Sequence, residues 1–167
     1  MNYIIRPIRF EDAEDVNEMR RMDGVRETIL GIKSERINKT EDFIKNLGPN
    51  DYVFVAEVNN NGVRKVVGVV GLHVNSNPRC RHSASIGIMV HKDYQGMGIG
   101  KALLEEVLDL ADNWLKLVRV ELCVFVDNDR AINLYESLGF QIEGTKKYAA
   151  IKNGKYVDEY LMARYNI

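Results

Sequence analysis

Val90-His91-Lys92-Asp93-Tyr94-Gln95-Gly96-Met97-Gly98-Ile99-Gly100-Lys101 leads from an apolar alternating run into the clearest helical pattern of the chain. Upstream, Ser83 to Val90 reads as a strand, with Ile86, Ile88 and Val90 on one face and Ser85, Gly87 and Met89 on the other. The internal glycine marks a bulge or a close backbone approach. Downstream, Lys101 to Leu115 carries Leu103, Val107, Leu110 and Trp114 with Leu104, Leu108, Ala111 and Leu115 as a wide apolar stripe, opposite Glu105, Glu106, Asp109 and Asp112. A glycine loop between strand and helix lets the backbone approach an anion without Cβ clashes. The first helical N–H groups and the positive dipole end then bind phosphate oxygens, with Lys101 adding charge.

Working outward, Val118 to Val126 alternates Val118, Val120, Leu122, Val124 and Val126 against Arg119, Glu121, Cys123 and Phe125, which predicts a central strand. Asn128 caps a helix with the stripe Ala131, Leu134, Tyr135 and Leu138, and Gly139 supplies its left-handed stop. Phe140 to Ile151 and Lys155 to Tyr165 form a hairpin through Asn153-Gly154. Toward the N-terminus, Tyr3 to Ile8 predicts a strand. A helix with Ala13, Val16 and Met19 inside follows, its first turn acidic with Glu11, Asp12 and Glu14. Thr40 to Leu47 predicts a short helix stopped by Gly48-Pro49-Asn50, and Tyr52 to Val58 with Lys65 to Val74 a hairpin looped at Asn59-Asn60-Asn61-Gly62. Asp23 to Glu35 has no clear period. The expected architecture is a single α+β domain over residues 1–167, a mixed and largely antiparallel sheet with helices interleaved.

At 167 residues and 46% apolar content, the chain can bury a core without staples. Its 23 basic and 24 acidic side chains leave a net charge of -1, so the reading excludes nucleic acid and membrane as main partners. Cys80 and Cys123 form neither a CxxC pair nor a metal-ligand spacing, so both stay reduced and no metal is expected. Met1 to Arg6 is too short an apolar run for a signal peptide and no stretch suits a membrane span. The protein is expected in the cytoplasm.

Which phosphates the loop holds is decided by spacing. A Walker loop ending at Gly100-Lys101 would need glycine where Gln95 stands and Ser or Thr where Ala102 stands. A dinucleotide GxGxxG would need glycine at Lys101 or Leu103. Gln95, Gly98 and Gly100 instead resemble the Gln/Arg-x-x-Gly-x-Gly/Ala signature of the GNAT N-acetyltransferase family, and a turn whose glycines only reverse the chain is the alternative. Asn128-Asp129-Arg130-Ala131 through Tyr135 to Gly139-Phe140 resembles that family's later signature. The resemblance covers nearly the whole chain from Ile5-Arg6-Pro7. Asp112 to Leu115, Glu121 to Asn128, and Lys146 to Ala149 through Tyr156 to Arg164 are most similar to bacterial L-amino-acid N-acetyltransferases.

The resemblance implies a GNAT-like sheet with helices on both faces and a splayed central strand pair holding acetyl-pantetheine. It implies acetyl-CoA as cosubstrate, on Ile88, Met89, Val90, Gln95, Gly96, Met97, Gly98, Ile99, Gly100, Lys101, Asn128, Ala131 and Tyr135. The implied acceptor is a small-molecule amine, here an apolar L-amino acid. A polyamine, an antibiotic amine or a protein N-terminus stands as the alternative within the same chemistry, and a non-catalytic acyl-CoA module outside it.

Acetyl transfer needs an unprotonated amine, a stabilised oxyanion and a released thiolate. A backbone N–H on the Ile86 to Val90 strand, around Met89 and Val90, meets the oxyanion if a bulge leaves donors unpaired. By resemblance Tyr135 donates a hydrogen bond or proton to the CoA sulfur, although its place beside Ala131 and Leu138 also suits packing. The base stays open among Glu121, the histidines His73, His82 and His91, and a water chain. Asp158 and Glu159 point to opposite faces of one strand, so they form no dyad. One of them attracts the acceptor's amino group or both are solvated edge charges. Arg119 is a candidate for an acceptor carboxylate, Lys101 for CoA phosphates, and an exposed edge strand for a homodimer.

Overall fold

The computed structural model describes residues 2–167, so Met1, at the head of the N-terminal run, lies outside it. Among the described residues seven strands form one sheet, β1 (Tyr3–Pro7), β2 (Asp51–Asn60), β3 (Val63–Val74), β4 (Ser83–Val90), β5 (Arg119–Phe125), β6 (Gln141–Lys152) and β7 (Lys155–Tyr165). Their order is β1-β2-β3-β4-β5-β7-β6. All neighbours are antiparallel except β4 and β5. Four α-helices, α1 (Ala13–Arg21), α2 (Ile37–Lys45), α3 (Ile99–Asp109) and α4 (Asp129–Ser137), complete the α+β fold.

The alternation of each strand divides the apolar residues between two layers. Val55 and Val69 face Val16 and Met19 of α1, in the smaller core. Val70, Leu72, Ala84, Ile86, Val120, Leu122 and Val124 face Leu103, Leu104 and Val107 of α3 and Ile132 and Tyr135 of α4, in the larger one. Helices therefore cover both faces, as a sheet with two apolar faces requires. Arg6 links β1 to this frame through Asp12 and Glu57, at 2.8 Å and 2.6 Å. Asp12 thus serves an ion pair beside α1 rather than its first turn.

Several boundaries differ from the sequence reading. The second helix runs Ile37–Lys45, placing Thr40 inside it. The long helix begins at Ile99, within the glycine loop, because Gly98 at φ 86° makes the turn that starts it. After Asp109 the helix widens into a π-turn, Leu110–Trp114, with Leu115 N–H bonded to Leu110 O at 2.9 Å. That wider turn rotates Trp114 off the apolar stripe and leaves it 76% exposed. β7 lies between β5 and β6, so Asp158 and Glu159 are on an interior strand and β6 is the edge. The Asn153-Gly154 turn takes positive φ at both positions, 51° and 78°, as a tight hairpin demands. Within Asp23 to Glu35 the chain forms turns, including a short helical turn at Arg26–Thr28, pinned by the fully buried Val25.

Candidate functional site

β4 and β5 pair only at Ser83–Arg119, Ala84–Val120 and Ser85–Glu121. Beyond those rungs β4 stays with β3 as far as Val90–Gly68, while β5 stays with β7 as far as Phe125–Glu159. Their facing edges diverge and enclose a cavity of about 660 Å³. His91 N–H donates to Val67 O at 2.8 Å and Asn75 N–H to Ser83 O at 2.9 Å. Antiparallel alternation therefore turns the backbone of residues 83, 85, 87, 89 and 91 toward β3, and that of Ile86, Ile88 and Val90 toward the cleft. The β3–β4 register has no shift, so the free donors come from the divergence of β4 from β5 and no bulge is involved. Of the two residues expected around the oxyanion, Val90 presents its N–H to the cleft and Met89 does not. The Met89 side chain packs on the α1 core.

The glycine loop closes one end. Gly96 and Gly98 have φ 75° and 86°, and a Cβ on either would meet nothing within 4 Å. Open space therefore lies over the backbone at the start of α3, where the first N–H groups have no helical acceptor. Gln95, Gly96, Gly98, Gly100 and Lys101 line the cavity with Ile88 and Val90. Gln95 is itself tied down, donating from Nε2 to Val90 O at 3.0 Å and accepting from Arg130 Nη1 at 3.3 Å. Two predicted residues are not brought to the site by their side chains: Met97 is 55% exposed, and Ile99, 1% exposed, packs in the core.

α4 forms the far wall. Asn128 Oδ1 accepts from Ala131 N–H at 3.3 Å, capping the helix, and Asn128, Ala131 and Tyr135 all line the cavity. Tyr135 is 7% exposed, with its ring 6.0 Å from that of Phe140. Burial alone pushes its hydroxyl up to about 12.

Glu121 lines the cavity, but Arg119 grips it from Nε and Nη2 at 3.1 Å and 2.7 Å while also bonding Glu143. The candidate base Glu121 and the candidate carboxylate ligand Arg119 are thus paired with each other. His91 caps the turn at residues 92–94 by accepting from Asp93 N–H at 3.1 Å, and burial followed by Lys65 lowers its pKa. It is a neutral structural residue. His82 is exposed and lends its carbonyl to Val118 and Arg119. Asp158 accepts from Tyr148 N–H at 2.9 Å and pairs with Lys147. Glu159 lines the cavity beside Cys123, whose thiol is pushed up to about 11 by burial and then by Glu159.

A second cavity of about 580 Å³ lies against the other face of β4 and shares Ile29, Leu30, Gly87, Ile88 and Met89 with the first. Gly71 and Gly87 are direct cross-strand partners on its floor. His73 is folded over Gly71, where a Cβ would stand 2.8 Å from its Nε2. Its Nδ1 lies 2.8 Å from Asp51 Oδ1. The Gly48 N–H and then His73 hold Asp51 below the ordinary carboxyl value, so this carboxylate accepts the Nδ1 proton and Nε2 is the acceptor in the neutral ring. No periodicity pointed to this cavity, because it is assembled from α1, α2 and three strands. Gly87 and His73, each noted singly in the sequence, were its traces there.

The model of the Acetyltransferase (GNAT) family matches residues 18–140. The chain is 48% identical over 99 residues to the L-amino acid N-acetyltransferase AaaT of Escherichia coli strain K12, covering 59% of this chain and 61% of that protein. It is 36% identical over 76 residues to a spermidine N(1)-acetyltransferase of Vibrio cholerae serotype O1, covering 46% and 44%. Both matches span less than two thirds of the relative's length. A GNAT-family acetyltransferase structure from Streptococcus pneumoniae superposes with a TM-score of 0.82 at 26% identity, covering 98% of this chain and 99% of that one. With the family's model matched over most of its length and the whole fold shared with a solved member, the chain belongs to the GNAT acetyltransferase family.

Proposed function

We propose that residues 1–167 act as one domain that transfers the acetyl group of acetyl-CoA to the amine of a small molecule, an apolar L-amino acid. The observation that carries this reading is the divergence of β4 from β5 after Ser85–Glu121, with the glycine loop at the end of the gap. Acetyl-CoA supplies the activated thioester. The open space over Gly96 and Gly98 and the unpaired N–H groups at the start of α3 suit its diphosphate, with Lys101 alongside. The cleft-facing peptide groups of Val90 and Ile88, next to the loop, suit the amides of its pantetheine arm, as an added strand would. Farther from the loop, Ile86 and Ile88 then offer N–H donors where charge develops on the thioester oxygen, and the neutral Tyr135 hydroxyl offers one to the departing sulfur.

The acceptor approaches from the second cavity, which meets the first at Gly87 to Met89. Its walls are largely apolar, with Val16, Ile29, Leu30, Phe43, Val53 and Val69, which favours an apolar side chain. The relative named as an L-amino acid N-acetyltransferase supports the same choice. His73 Nε2 stands on this side of β4 to take the acceptor's proton, directly or through water. A polyamine is the second reading, favoured by the carboxylate of Glu159 in the first cavity and by the spermidine-acetylating relative.

The deciding measurement is acetyl-CoA-dependent thiol release with apolar L-amino acids, spermidine and a peptide N-terminus. Turnover is expected to be fastest with the amino acids. Faster acetylation of spermidine or the peptide than of every amino acid would replace this acceptor, and thiol release with none of them would remove the catalytic reading.

A further inference from the structure

The helix side of the second cavity carries polar groups that its apolar walls do not explain. Glu35, 8% exposed, accepts from Arg20 Nε at 2.8 Å and pairs with Lys39 Nζ at 2.9 Å. Burial pushes its carboxyl up, and Arg20 and Lys39 more than offset this, holding it below its ordinary value, although Oε1 faces Lys39 as an ion pair without a formed hydrogen bond. One carboxylate thus sits between two cations, and the cluster keeps a net positive charge. Arg20 directs only Nε–H to Glu35, so among the described residues its terminal N–H groups have no carboxylate partner.

Thr40 supplies an independent observation. It is 3% exposed and lines the cavity, and its Oγ1 has no hydrogen-bond partner among the described residues. A helical threonine commonly bonds its hydroxyl back to the carbonyl four residues earlier, and Thr40 does not. A buried hydroxyl left unpaired calls for a partner that is not part of the chain. Arg20 on α1 and Thr40 on α2 line the same cavity as the Gly71–Gly87 floor, where the cavity meets the cofactor cleft.

We propose that Arg20 and Thr40 form a carboxylate subsite in the second cavity, which holds the α-carboxylate of an apolar amino acid while its amine faces β4 at Gly87. The proposal rests on the acceptor reading above and deepens it. Guanidinium N–H groups and a hydroxyl are the donors a carboxylate takes up, whereas an ammonium there would meet two cations. Selection for the carboxylate also separates free amino acids from peptide N-termini and polyamines, neither of which carries that anion beside the amine.

The test compares L-leucine with isopentylamine, the same skeleton without its carboxylate, in the wild-type chain and in Thr40→Val, Arg20→Gln and Arg20→Lys. The wild type is expected to favour leucine in kcat/KM. Thr40→Val, which keeps the volume, and Arg20→Gln should each lower the leucine-to-isopentylamine ratio by about ten- to a hundredfold, mainly through KM for leucine, with acetyl-CoA affinity retained. Arg20→Lys should recover part of the ratio. An unchanged ratio in folded variants, with both substrates slowed alike, would overturn the subsite while leaving the amino-acid reading in place. A wild type that acetylates spermidine but not leucine would overturn both.

Discussion

Burial pushes the Tyr135 hydroxyl up to about 12, which keeps the phenol neutral through the working range of an enzyme. Against a model thiol near about 8.5, full proton transfer to sulfur would be uphill by roughly 5 kcal/mol, so the hydroxyl can act only as a hydrogen-bond donor. Such a bond strengthens as sulfur gains charge, which is the condition for raising turnover. Tyr135→Phe is expected to lower kcat by roughly tenfold with acetyl-CoA affinity retained, and neither enzyme should show a basic limb from this residue between about pH 8 and 10. A wild-type limb near about pH 9 that vanished in the variant would contradict the assignment. Glu143 provides the acid-side counterpart. The Arg119 and Tyr165 hydrogen bonds hold its carboxyl down to about 2 from an ordinary 4.5. A carboxyl lowered on folding contributes stability that is present above its ordinary value and lost as pH falls toward the folded one. In Arg119→Ala, Glu143 followed by NMR should titrate back toward 4.5, and a carboxyl still near 2 would show that Arg119 is not the cause.

At the scale of elements, the Gly71–Gly87 pair makes room between two cavities without distorting a strand. The β3–β4 register is unbroken through it, and neither glycine has positive φ. Nothing lies within 4 Å of where a Cβ on Gly87 would stand, on the face shared with Ser85 and Met89. Gly87→Val therefore fits the strand, fills the passage and adds β propensity. It should raise KM for the amine acceptor by tenfold or more while leaving acetyl-CoA affinity and thermal stability close to wild type. Kinetics and calorimetry on one preparation check this, and equal losses of acceptor and cofactor would mean that the residue serves the first cavity instead.

For the molecule as a whole, the cleft separates two strand groups that share only three rungs, β1-β2-β3-β4 and β5-β7-β6. A ligand spanning the gap binds the folded sheet and not the open chain. Free CoA at about a hundred times its Kd should add roughly 2.7 kcal/mol, or about 5–10 °C in Tm for a domain of this size. Gly100→Val should abolish the shift. A Cβ there stands 3.7 Å from Val90 Cγ2 and 3.8 Å from Leu134 Cδ2, at ordinary contact, so the larger side chain extends into the cofactor cavity without backbone strain. A full shift in folded Gly100→Val would place the diphosphate elsewhere.

Local periodicity was enough to locate the strand–glycine loop–helix segment, the Asn128 cap and the Asn153-Gly154 turn, since each depends on residues within one or two turns of chain. It also separated Ile86, Ile88 and Val90 from Ser85, Gly87 and Met89, because alternation is a property of the strand itself. What it could not decide depends on partners distant in sequence. Glu121 is occupied because Arg119, two residues before it on β5, is held between it and Glu143 of the distant β6, and Trp114 is exposed because the end of its helix widens. Val90 rather than Met89 offers its N–H because β3 consumes the alternate peptide groups of β4. The second cavity needed Arg20, Glu35 and Thr40 brought against Gly71 and Gly87 by the packing of α1 and α2 on the sheet, a juxtaposition that only tertiary contacts create.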